Sequence, residues 1–451
     1  MIADLKPYAE YKESGLAWLG RVPGHWSFER TKWRFRTRKE LNSSGAQTNI
    51  LSLTLRGVVN NNPDDPEGLV PKDYRTYQFF AKGDLVFKLI DLENLRTSRV
   101  GLVHEDGIMS SAYVRLAPSS PTNIRYFFHQ FYDLYSRGIY NQLGAGVRST
   151  LGPSDLLNVG IAVPPPAEQA AIVRFLDWAN GRLERAILAK RKVIALLNEQ
   201  KQAIIHRAVT RGLDPSVPLK PSGIPWLGDI PQHWEVSRVK NEFRCLNTRR
   251  VPLNAVERGA MTSRTYDYYG ASGIIDKVDD YLFDDELLLI AEDGANLVLR
   301  NLPLAIISRG KFWVNNHAHI LKPKRGSIVY LAHLLETLSY APWISGAAQP
   351  KLTQDRLLSI SIAVAPPDEQ DAIVRHTSEQ TRPLITAISR LEREIELLRE
   401  YRTRLVADVV TGKLDVREAA ALLPGEAAPD MAEDDTDLSI DPEAADEEAA
   451  V

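Results

Sequence analysis

The stretch VPPPAEQAAIVR at residues 163–174 returns as VAPPDEQDAIVR at residues 364–375, 201 positions later. In both copies a short apolar run meets a group of prolines, and the pattern of a long helix follows. Proline favours an extended approach and is tolerated in the first turn of a helix, where a carboxylate such as Glu168 or Glu369 also complements the helix dipole. Each stretch therefore predicts a junction at which a globular domain ends and a long helix begins.

A second pair of stretches marks the start of each copy. SGLAWLGRVPGHW at residues 14–26 returns as SGIPWLGDIPQHW at residues 222–234, 208 positions later. This period is far longer than the roughly 20–50 residues of a solenoid repeat. The chain is therefore a tandem duplication of one globular domain with the helix that follows it. Two similar surfaces suit a target that is read at two places.

The repeat divides the chain into five segments. They are a first domain at 1–160, a first helix at 161–213, a second domain at 214–363, a second helix at 364–413 and a final segment at 414–451. Short apolar runs predict strands at 49–55, 84–90, 113–116, 159–163, 286–291 and 312–321, and helices at 124–136 and 328–339. The fold class that follows is α+β, with mixed helices and strands in two similar domains.

Apolar residues along both long helices recur at alternating steps of four and three, which is typical of a coiled-coil seam. The seam consists of Leu183, Ile187, Ile194, Leu197 and Ile204 in the first helix, and of Leu384, Ile388, Leu391, Ile395, Leu398, Leu405 and Val409 in the second. Lys190 and Lys201 interrupt the first seam, and Arg402 interrupts the second. Matched seams favour an antiparallel helix pair with a pseudo-two-fold internal repeat. The alternative is that each helix packs on its own domain.

Composition and charge limit the class of protein. A hydrophobic fraction of 44% is ordinary for a soluble globular protein, the apolar runs are too short to span a bilayer, and Cys245 is the single cysteine. These features predict a soluble cytoplasmic protein. The segment 414–451 holds 13 acidic residues and one basic residue, so the remainder is basic. We expect this acidic segment to be disordered, and a basic body suits a polyanion partner.

Motifs for catalysis are missing from the sequence. It contains no phosphate-binding loop, and Gly144 and Gly146 lack the third glycine of a dinucleotide fingerprint. His317 and His319 lie on one face if they belong to a strand, but no third metal ligand stands nearby, so a strand is favoured over a metal site. We therefore predict no catalytic residue, no metal and no cofactor on this chain.

Basic residues give the candidates for nucleic-acid contact. From Arg30 to Arg38 cations alternate with Thr, Trp and Phe, which predicts a strand with one basic face; a solvated scaffold face is the alternative. Small and polar residues form matched loops at 146–150 and 349–351. The candidates are Arg148, Ser149, Gln349, Lys351, Lys88, Arg96, Arg99, Arg300, Arg309 and Lys311. Ordinary polar loops are the alternative explanation for these positions.

In combination, these motifs resemble one known family. SGxxWLGxxPxHW, then PPxxEQxxIV opening a long helix, then TRGL at 210–213 is similar to the specificity subunit of type I restriction-modification systems. The segments Asn315–His319 and Leu151–Leu156 fit the same family. The resemblance covers residues 10 to about 415. It does not extend to the acidic end of the chain.

The resemblance implies a non-catalytic protein. The domains at 1–160 and 214–363 would each read one half of a bipartite, asymmetric DNA site, and the helices would set the spacing and dock modification subunits. Those partners would bind S-adenosylmethionine and methylate adenine, and restriction subunits that use ATP and Mg would join them to cut phage DNA. Two other functions stay open: a coiled-coil adaptor that binds only proteins, and a self-contained nuclease or methyltransferase.

Overall fold

The computed structural model describes residues 5–62, 71–90, 92, 99–119, 121–143, 151–224, 226–293, 296–300, 302–346 and 350–424. Its strands are β1 (Tyr11–Glu13), β2 (Arg21–Pro23), β3 (Ser27–Arg30), β4 (Phe35–Thr37), β5 (Leu51–Thr54), β6 (Gly57–Asn60), β7 (Gln78–Phe80), β8 (Leu85–Phe87), β9 (Val100–Leu102), β10 (Gly107–Met109), β11 (Val114–Pro118), β12 (Gly160–Val163), β13 (Leu219–Pro221), β14 (Asp229–Pro231), β15 (Glu235–Arg238), β16 (Phe243–Cys245), β17 (Tyr266–Gly270), β18 (Gly273–Val278), β19 (Phe283–Ala291), β20 (Ala305–Val314), β21 (Ala318–Pro323) and β22 (Ser361–Val364).

The helices are α1 (Ile124–Ser136), α2 (Ile139–Leu143), α3 (Pro153–Asn158), α4 (Pro166–Arg211), α5 (Val239–Glu242), α6 (Ala255–Gly259), α7 (Asn296–Leu299), α8 (Ile328–Glu336), α9 (Gln354–Ser359), α10 (Pro367–Val410) and α11 (Arg417–Ala421). The predicted helix at 124–136 is confirmed at both ends, and the helix predicted at 328–339 ends three residues earlier. The predicted strand at 312–321 is two strands, β20 and β21, separated by a turn.

Two compact units make up the chain. Unit 1 comprises Met1–Leu188 with Ile395–Val451, and unit 2 comprises Ala189–Glu394. Each unit therefore contains one globular part, the first half of one long helix and the second half of the other. These units cut across the domain boundaries that the sequence repeat suggests, because each long helix is shared between them.

Unit 1 is built around a four-stranded antiparallel sheet in the order β4-β11-β8-β9. A separate antiparallel pair, β3 with β12, brings an early strand of the globular part beside its last strand, just before α4. Trp26 and Phe87 share a buried core with Leu176 of α4 and Val409 of α10. The core of unit 1 thus continues from the globular part onto both helices.

Unit 2 repeats this plan with a larger sheet. Six strands follow the order β16-β21-β19-β20-β17-β18, and β15 pairs with β22 just before α10. Trp234 and Tyr330 share a buried core with Val209 of α4 and Ile373 of α10. In both units, therefore, the start of one long helix lies beside the end of the other, which confirms the antiparallel pair.

Burial along the two long helices follows the seam positions. Every seam residue predicted from the sequence is buried or half-buried, including Leu183, Ile187, Ile388 and Leu405, which are buried. The polar interruptions are paired. The Lys190 Nζ lies 2.5 Å from a carboxylate oxygen of Glu394 within unit 2. An Nη1 of Arg402 lies 3.1 Å from Glu184 within unit 1.

The long helices begin at the prolines that the sequence predicts, and each is followed by a glycine. Pro166 and Pro367 are the first residues of α4 and α10. Gly212 and Gly412 follow the last turns with φ of +74° and +75°, a left-handed conformation that glycine adopts readily. The helix α10 continues through Pro383.

The predicted basic strand from Arg30 to Arg38 is wrong. A 3-10 turn at Thr31–Trp33 separates β3 from β4. The turn forms because Thr31 is buried and both its backbone N–H and its hydroxyl donate to the carbonyl of Val159, at 2.9 and 3.0 Å. The alternation of cations and aromatic residues therefore does not produce one continuous basic face.

The predicted disorder of residues 414–451 is wrong for residues 414–424. Helix α11 belongs to unit 1, and Val416, Ala419 and Ala420 join the core of that unit, while Leu423 just after the helix is also buried. These four residues have the spacing of one helical face, which the high acidic content of the whole segment obscures. Residues 425–451, which hold 11 of the 13 acidic residues, lie outside the described residues.

Candidate nucleic-acid interface

The duplicated sequence motifs meet at a carboxylate in each unit, buried in unit 1 and half-buried in unit 2. In unit 1, Glu168 accepts hydrogen bonds from the hydroxyl of Tyr8 at 2.6 Å and from Nε1 of Trp26 at 2.8 Å, and Nε2 of His25 lies 2.7 Å away. Burial and the carboxylate raise the pKa of Tyr8 above its ordinary value, so its hydroxyl remains a donor. The motif around Trp26 is therefore used to fix the globular part to the first turn of α4.

Unit 2 repeats this anchor. Glu369 accepts from Nε1 of Trp234 at 3.0 Å and lies 2.7 Å from Nε2 of His233. The glutamine that follows each carboxylate also has the same role, since Gln169 and Gln370 each donate to the backbone carbonyl five residues earlier at 2.8 Å. The residues that repeat most closely in the sequence are thus structural. The surfaces that differ between the units are the candidates for recognition.

Three loops converge in unit 2 at the end of β19. Asp293 pairs with Lys351 in an isolated backbone bridge, and the backbone N–H of Leu352 donates to the carbonyl of Glu292 at 2.7 Å. The turn between β20 and β21 adds a third loop, because the N–H of Glu292 donates to the carbonyl of His317 at 2.9 Å. The structure therefore brings one predicted contact residue, Lys351, beside two carboxylates and an imidazole.

The side chains of this loop cluster form an ordered polar network. A carboxylate oxygen of Glu292 lies 2.5 Å from Nη1 of Arg250, and the other lies 3.3 Å from Nζ of Lys351. Burial raises the pKa of Glu292, but the hydrogen bond from Arg250 and the charge of His319 outweigh it, so the net shift is downward. His317 has its Nδ1 3.0 Å from both carboxylate oxygens of Asp293. Glu292 and Asp293 therefore hold three polar side chains at one edge of unit 2.

Unit 1 has loops at the corresponding places. The N–H of Leu151 donates to the carbonyl of Leu89 at 3.1 Å, as Leu352 does to Glu292 in unit 2. Lys88 precedes this contact and is half-buried, with its N–H bonded to the carbonyl of Arg99 at 3.0 Å. The predicted contact residues Arg96, Arg148, Ser149 and Gln349 lie outside the described residues.

Two of the predicted contact residues are engaged within their own unit. Arg99 is 1% exposed, and its Nη1 donates to the carbonyl of Ile90 at 3.1 Å. Arg300 has a φ of +56°, and its guanidinium donates to the carbonyls of Leu338 and Glu336 at the end of α8. The conformation of both side chains supports a structural role more than a nucleic-acid contact.

Arg309 and Lys311 lie on β20 and are exposed. Nε of Arg309 is 2.6 Å from the carboxylate of Glu286 on the neighbouring strand β19. The ammonium of Lys311 lies over the ring of Tyr281, 4.6 Å from its centroid. These cations are displayed on the sheet of unit 2, away from the main chain contacts that join the three loops.

The histidines considered for metal binding have other partners. His319 is buried on β21, with Nε2 2.7 Å from the carbonyl of Leu352 and Nδ1 2.8 Å from the amide of Asn247. Among the residues that the structure describes, no group of three or more His, Cys, Asp or Glu side chains is arranged to hold a metal ion. Within the same ranges, no helix combines the length and apolar character needed to cross a membrane.

Sequence reasoning missed two features of the site. The pairing of His317 with Asp293 joins residues 24 positions apart, and the anchor at Glu168 joins residues about 140 positions apart. A signal for the anchor existed, because the His-Trp and Glu-Gln pairs recur together in both copies. No comparable signal existed for His317, since Ser111 occupies its place in the first copy.

Part of the sequence is similar to known proteins. Residues 231–397 match the type I restriction modification DNA specificity domain. A Haemophilus influenzae protein named as a type I restriction enzyme specificity subunit is 36% identical over 132 residues, which is 29% of this chain and 33% of that protein. The chain therefore spans about a third of the length of that relative.

A solved structure shares the fold of this chain. A chain from a structure describing complex assembly and conformational transition of the type I R-M system gives a TM-score of 0.56 at 12% identity, covering 87% of this chain and 99% of that chain. The S subunit of a type I restriction-modification system from M. genitalium gives a TM-score of 0.37 at 14% identity, covering 90% of this chain and 98% of that chain.

The fold is thus that of a duplicated α+β protein with two similar domains on an antiparallel helix pair. Residues 231–397 thus match the type I restriction modification DNA specificity domain, and the chain is similar in sequence to a type I restriction enzyme specificity subunit and in fold to a chain of a type I R-M system.

Proposed function

We propose that the chain is the DNA-specificity subunit of a type I restriction-modification complex and reads a bipartite, asymmetric DNA sequence. The observation that carries the proposal is the contrast between anchor and loops. Both units use the same carboxylate anchor, at Glu168 and Glu369, but the sequences of their loops differ, as at Ser111 and His317. One scaffold with two different reading surfaces suits two different half-sites.

The charge of the chain supports a DNA partner. Apart from residues 414–451 the sequence is basic, and exposed cations such as Lys32, Lys240, Arg244 and Lys39 are available for phosphate contacts. Such contacts would provide affinity that does not depend on sequence, while the loop clusters would provide selectivity. The chain would act in the cytoplasm, together with the DNA that it protects.

The chemistry would be carried by partner subunits. Modification subunits, two for a chain with two matched halves, would bind S-adenosylmethionine and methylate adenine, and restriction subunits that use ATP and Mg would cleave unmodified phage DNA. The outward faces of α4 and α10 would dock the modification subunits. On each helix this face exposes apolar residues at matched positions, Leu196 and Leu397. The chain itself would hold no cofactor and perform no catalysis.

A domain exchange tests this proposal. The full chain, co-expressed with its modification subunits, should direct adenine methylation to one bipartite sequence, mapped by sequencing methylated DNA. Replacing residues 1–160 with the corresponding domain of another family member should change one half-site and leave the other intact. If both half-sites changed together, the two domains would not be independent readers. Methyl transfer by the purified chain without partners would show that it is an enzyme in its own right.

The same domain exchange distinguishes a specificity subunit from an adaptor that binds only proteins. It predicts that the chain joins the other subunits but that neither domain influences which DNA is methylated. In that case the domain exchange would leave the methylated sequence unchanged.

A further inference from the structure

The turn between β20 and β21 has its backbone fixed on several sides. The N–H of His317 donates to Oδ1 of Asn315 at 2.8 Å, and its carbonyl accepts from the N–H of Glu292 at 2.9 Å. Nη1 of Arg250 donates to the carbonyls on either side, those of Asn316 and Ala318, at 3.0 and 2.9 Å. The backbone that carries the His317 side chain is therefore held rigidly at the surface of unit 2.

The imidazole of His317 is also oriented. Its side chain is 47% exposed, whereas that of Asp293, its partner, is 14% exposed. An ionised carboxylate only accepts hydrogen bonds, so the ring nitrogen beside it, Nδ1, carries the proton. Nε2 is then the acceptor of the neutral ring, and no described residue is found to bond it. The unit thus presents one hydrogen-bond acceptor at a defined place and with a defined tautomer.

The cations near this ring have another partner. Arg250 and Lys351 both pair with Glu292, whereas the side chain paired with Asp293 is that of His317. His319, two residues later, shows the structural alternative, because it is buried and both of its ring nitrogens have partners within unit 2.

We propose that His317, oriented by Asp293, is a base-reading residue of unit 2 and accepts a hydrogen bond from an exocyclic amino group in the major groove. This inference rests on the proposed function. Cytosine N4 and adenine N6 are the amino donors exposed there, and base recognition needs a polar group held in a fixed geometry. Asp293 is a positioning residue, since it acts through the ring of His317.

The position of His317 has a counterpart in the first copy of the repeat. Ser111 lies at the place of His317 in the first copy, 206 positions earlier, and is half-buried. The two scaffolds thus carry a hydroxyl and an imidazole at the same turn. A difference at this turn would contribute to the difference between the two half-sites.

The test uses the full chain assembled with its modification subunits and a DNA library that is randomised at each position of the bipartite site in turn. His317→Ala should weaken binding to the native site roughly ten- to hundredfold and relax preference at one position of one half-site. The other half-site and binding to unrelated DNA should stay unchanged. Asp293→Ala should relax the same position, and Asp293→Asn, which keeps an acceptor, should restore part of the preference.

Lys277→Ala is the control, because Lys277 is an exposed side chain of the same unit that also pairs with a carboxylate but lies on β18. It should leave both half-sites unchanged, and thermal unfolding should show that all variants fold. An equal loss of affinity for every DNA sequence after His317→Ala would mean a phosphate contact and would overturn the inference. An unchanged preference would overturn it too, while the proposed function would stand. If the wild-type complex selected no bipartite site, the proposed function itself would fail.

Discussion

Trp26 and Glu168 are 142 positions apart in the sequence, yet the indole Nε1 donates to a carboxylate oxygen of Glu168 at 2.8 Å. The corresponding bond of unit 2 joins Trp234 and Glu369 at 3.0 Å. The two carboxylates differ in their surroundings, since the side chain of Glu168 is 4% exposed and that of Glu369 is 25% exposed. The anchor should therefore contribute more to the stability of unit 1 than to that of unit 2.

Replacing the anchor carboxylates tests this difference. Glu168→Ala leaves two buried donors without a partner, at Tyr8 and Trp26, at a cost of about 1–3 kcal/mol each. Glu369→Ala leaves one buried donor, at Trp234, and should cost less. Urea unfolding gives the change in free energy, and hydrogen exchange shows which unit opens. Glu13→Ala is the control, because Glu13 forms only an exposed ion pair worth about 0–1 kcal/mol. Equal losses at both anchors would contradict the prediction.

A glycine at the end of α10 should tolerate no side chain. Gly412 has a left-handed φ, and an added Cβ would overlap the ring of Pro23 and approach Trp26. Gly223 has a φ of +68° but open space around it. The left-handed backbone should lower the free energy of unfolding of both alanine variants by about 1–2 kcal/mol. The overlap should lower that of Gly412→Ala by about 1–3 kcal/mol more. Comparing the midpoints of thermal unfolding checks this, and similar midpoints would show that Pro23 moves aside at little cost.

The seam of the helix pair gives a third prediction. Ile187 is 2% exposed and Leu196, nine residues further along the same helix, is 64% exposed. Ile187→Ala should destabilise the chain by about 2–5 kcal/mol because it removes buried apolar surface and leaves a cavity. Leu196→Ala should change the free energy of unfolding by no more than about 0.5 kcal/mol. Urea unfolding of the chain without partner subunits measures both changes. An equal loss of stability in the two variants would mean that Leu196 is as buried as Ile187 in solution.

Lys351 is a predicted DNA contact that the structure places in the loop cluster of unit 2. Lys351→Ala should cost about 1–3 kcal/mol of binding and relax one base position if Lys351 contacts a base, or weaken all sequences alike if it contacts phosphate. Lys277→Ala is the matched control, since Lys277 is a similarly exposed, paired lysine on β18. Binding measured at one salt concentration tests both. No change in affinity for Lys351→Ala would exclude this side chain from the interface.

How much of this molecule the sequence predicts depends on the range of the interaction. Local patterns are sufficient for the helix at 124–136 and for the proline starts of the long helices, because a period or a proline determines each. The basic strand from Arg30 to Arg38 was wrong because the turn there depends on Val159, a distant partner. The burial of Arg99 was missed for a similar reason, since a charged side chain in a loop is usually exposed.

The sequence predicts the antiparallel arrangement of the long helices, but it does not predict that the end of each helix packs in the core of the other copy's globular part. Matched seams indicate an antiparallel pair, yet they do not tell which domain receives the end of each helix. In the structure, Val209 of α4 belongs to the core of unit 2 and Val409 of α10 to the core of unit 1. In the sequence Val409 is an ordinary seam residue, and Val209 lies near the end of the first helix. Only the long-range contacts of the globular parts determine their partners.

Two ion pairs show which turns of the long helices face each other. Lys190 pairs with Glu394 at 2.5 Å, and Glu184 pairs with Arg402 at 3.1 Å. Positions in α4 and α10 whose numbers add to about 585 are therefore opposite. An insertion in one helix needs a matched insertion at the facing place in the other, since the seam would otherwise lose its partners.

The last prediction uses this register to test the helices as the spacer between half-sites. One heptad inserted after Arg191 and one after Arg393 lengthens both helices at facing places and keeps the seam in phase. Each heptad adds about 10.5 Å, which corresponds to about three base-pair steps of roughly 3.4 Å. We expect the assembled complex to keep both half-sites and to lengthen the gap between them by up to about three base pairs, as read from methylated DNA. A four-residue insertion at the same places breaks the seam phase and should reduce stability. An active double-heptad protein with unchanged spacing would mean that the helices do not set the distance.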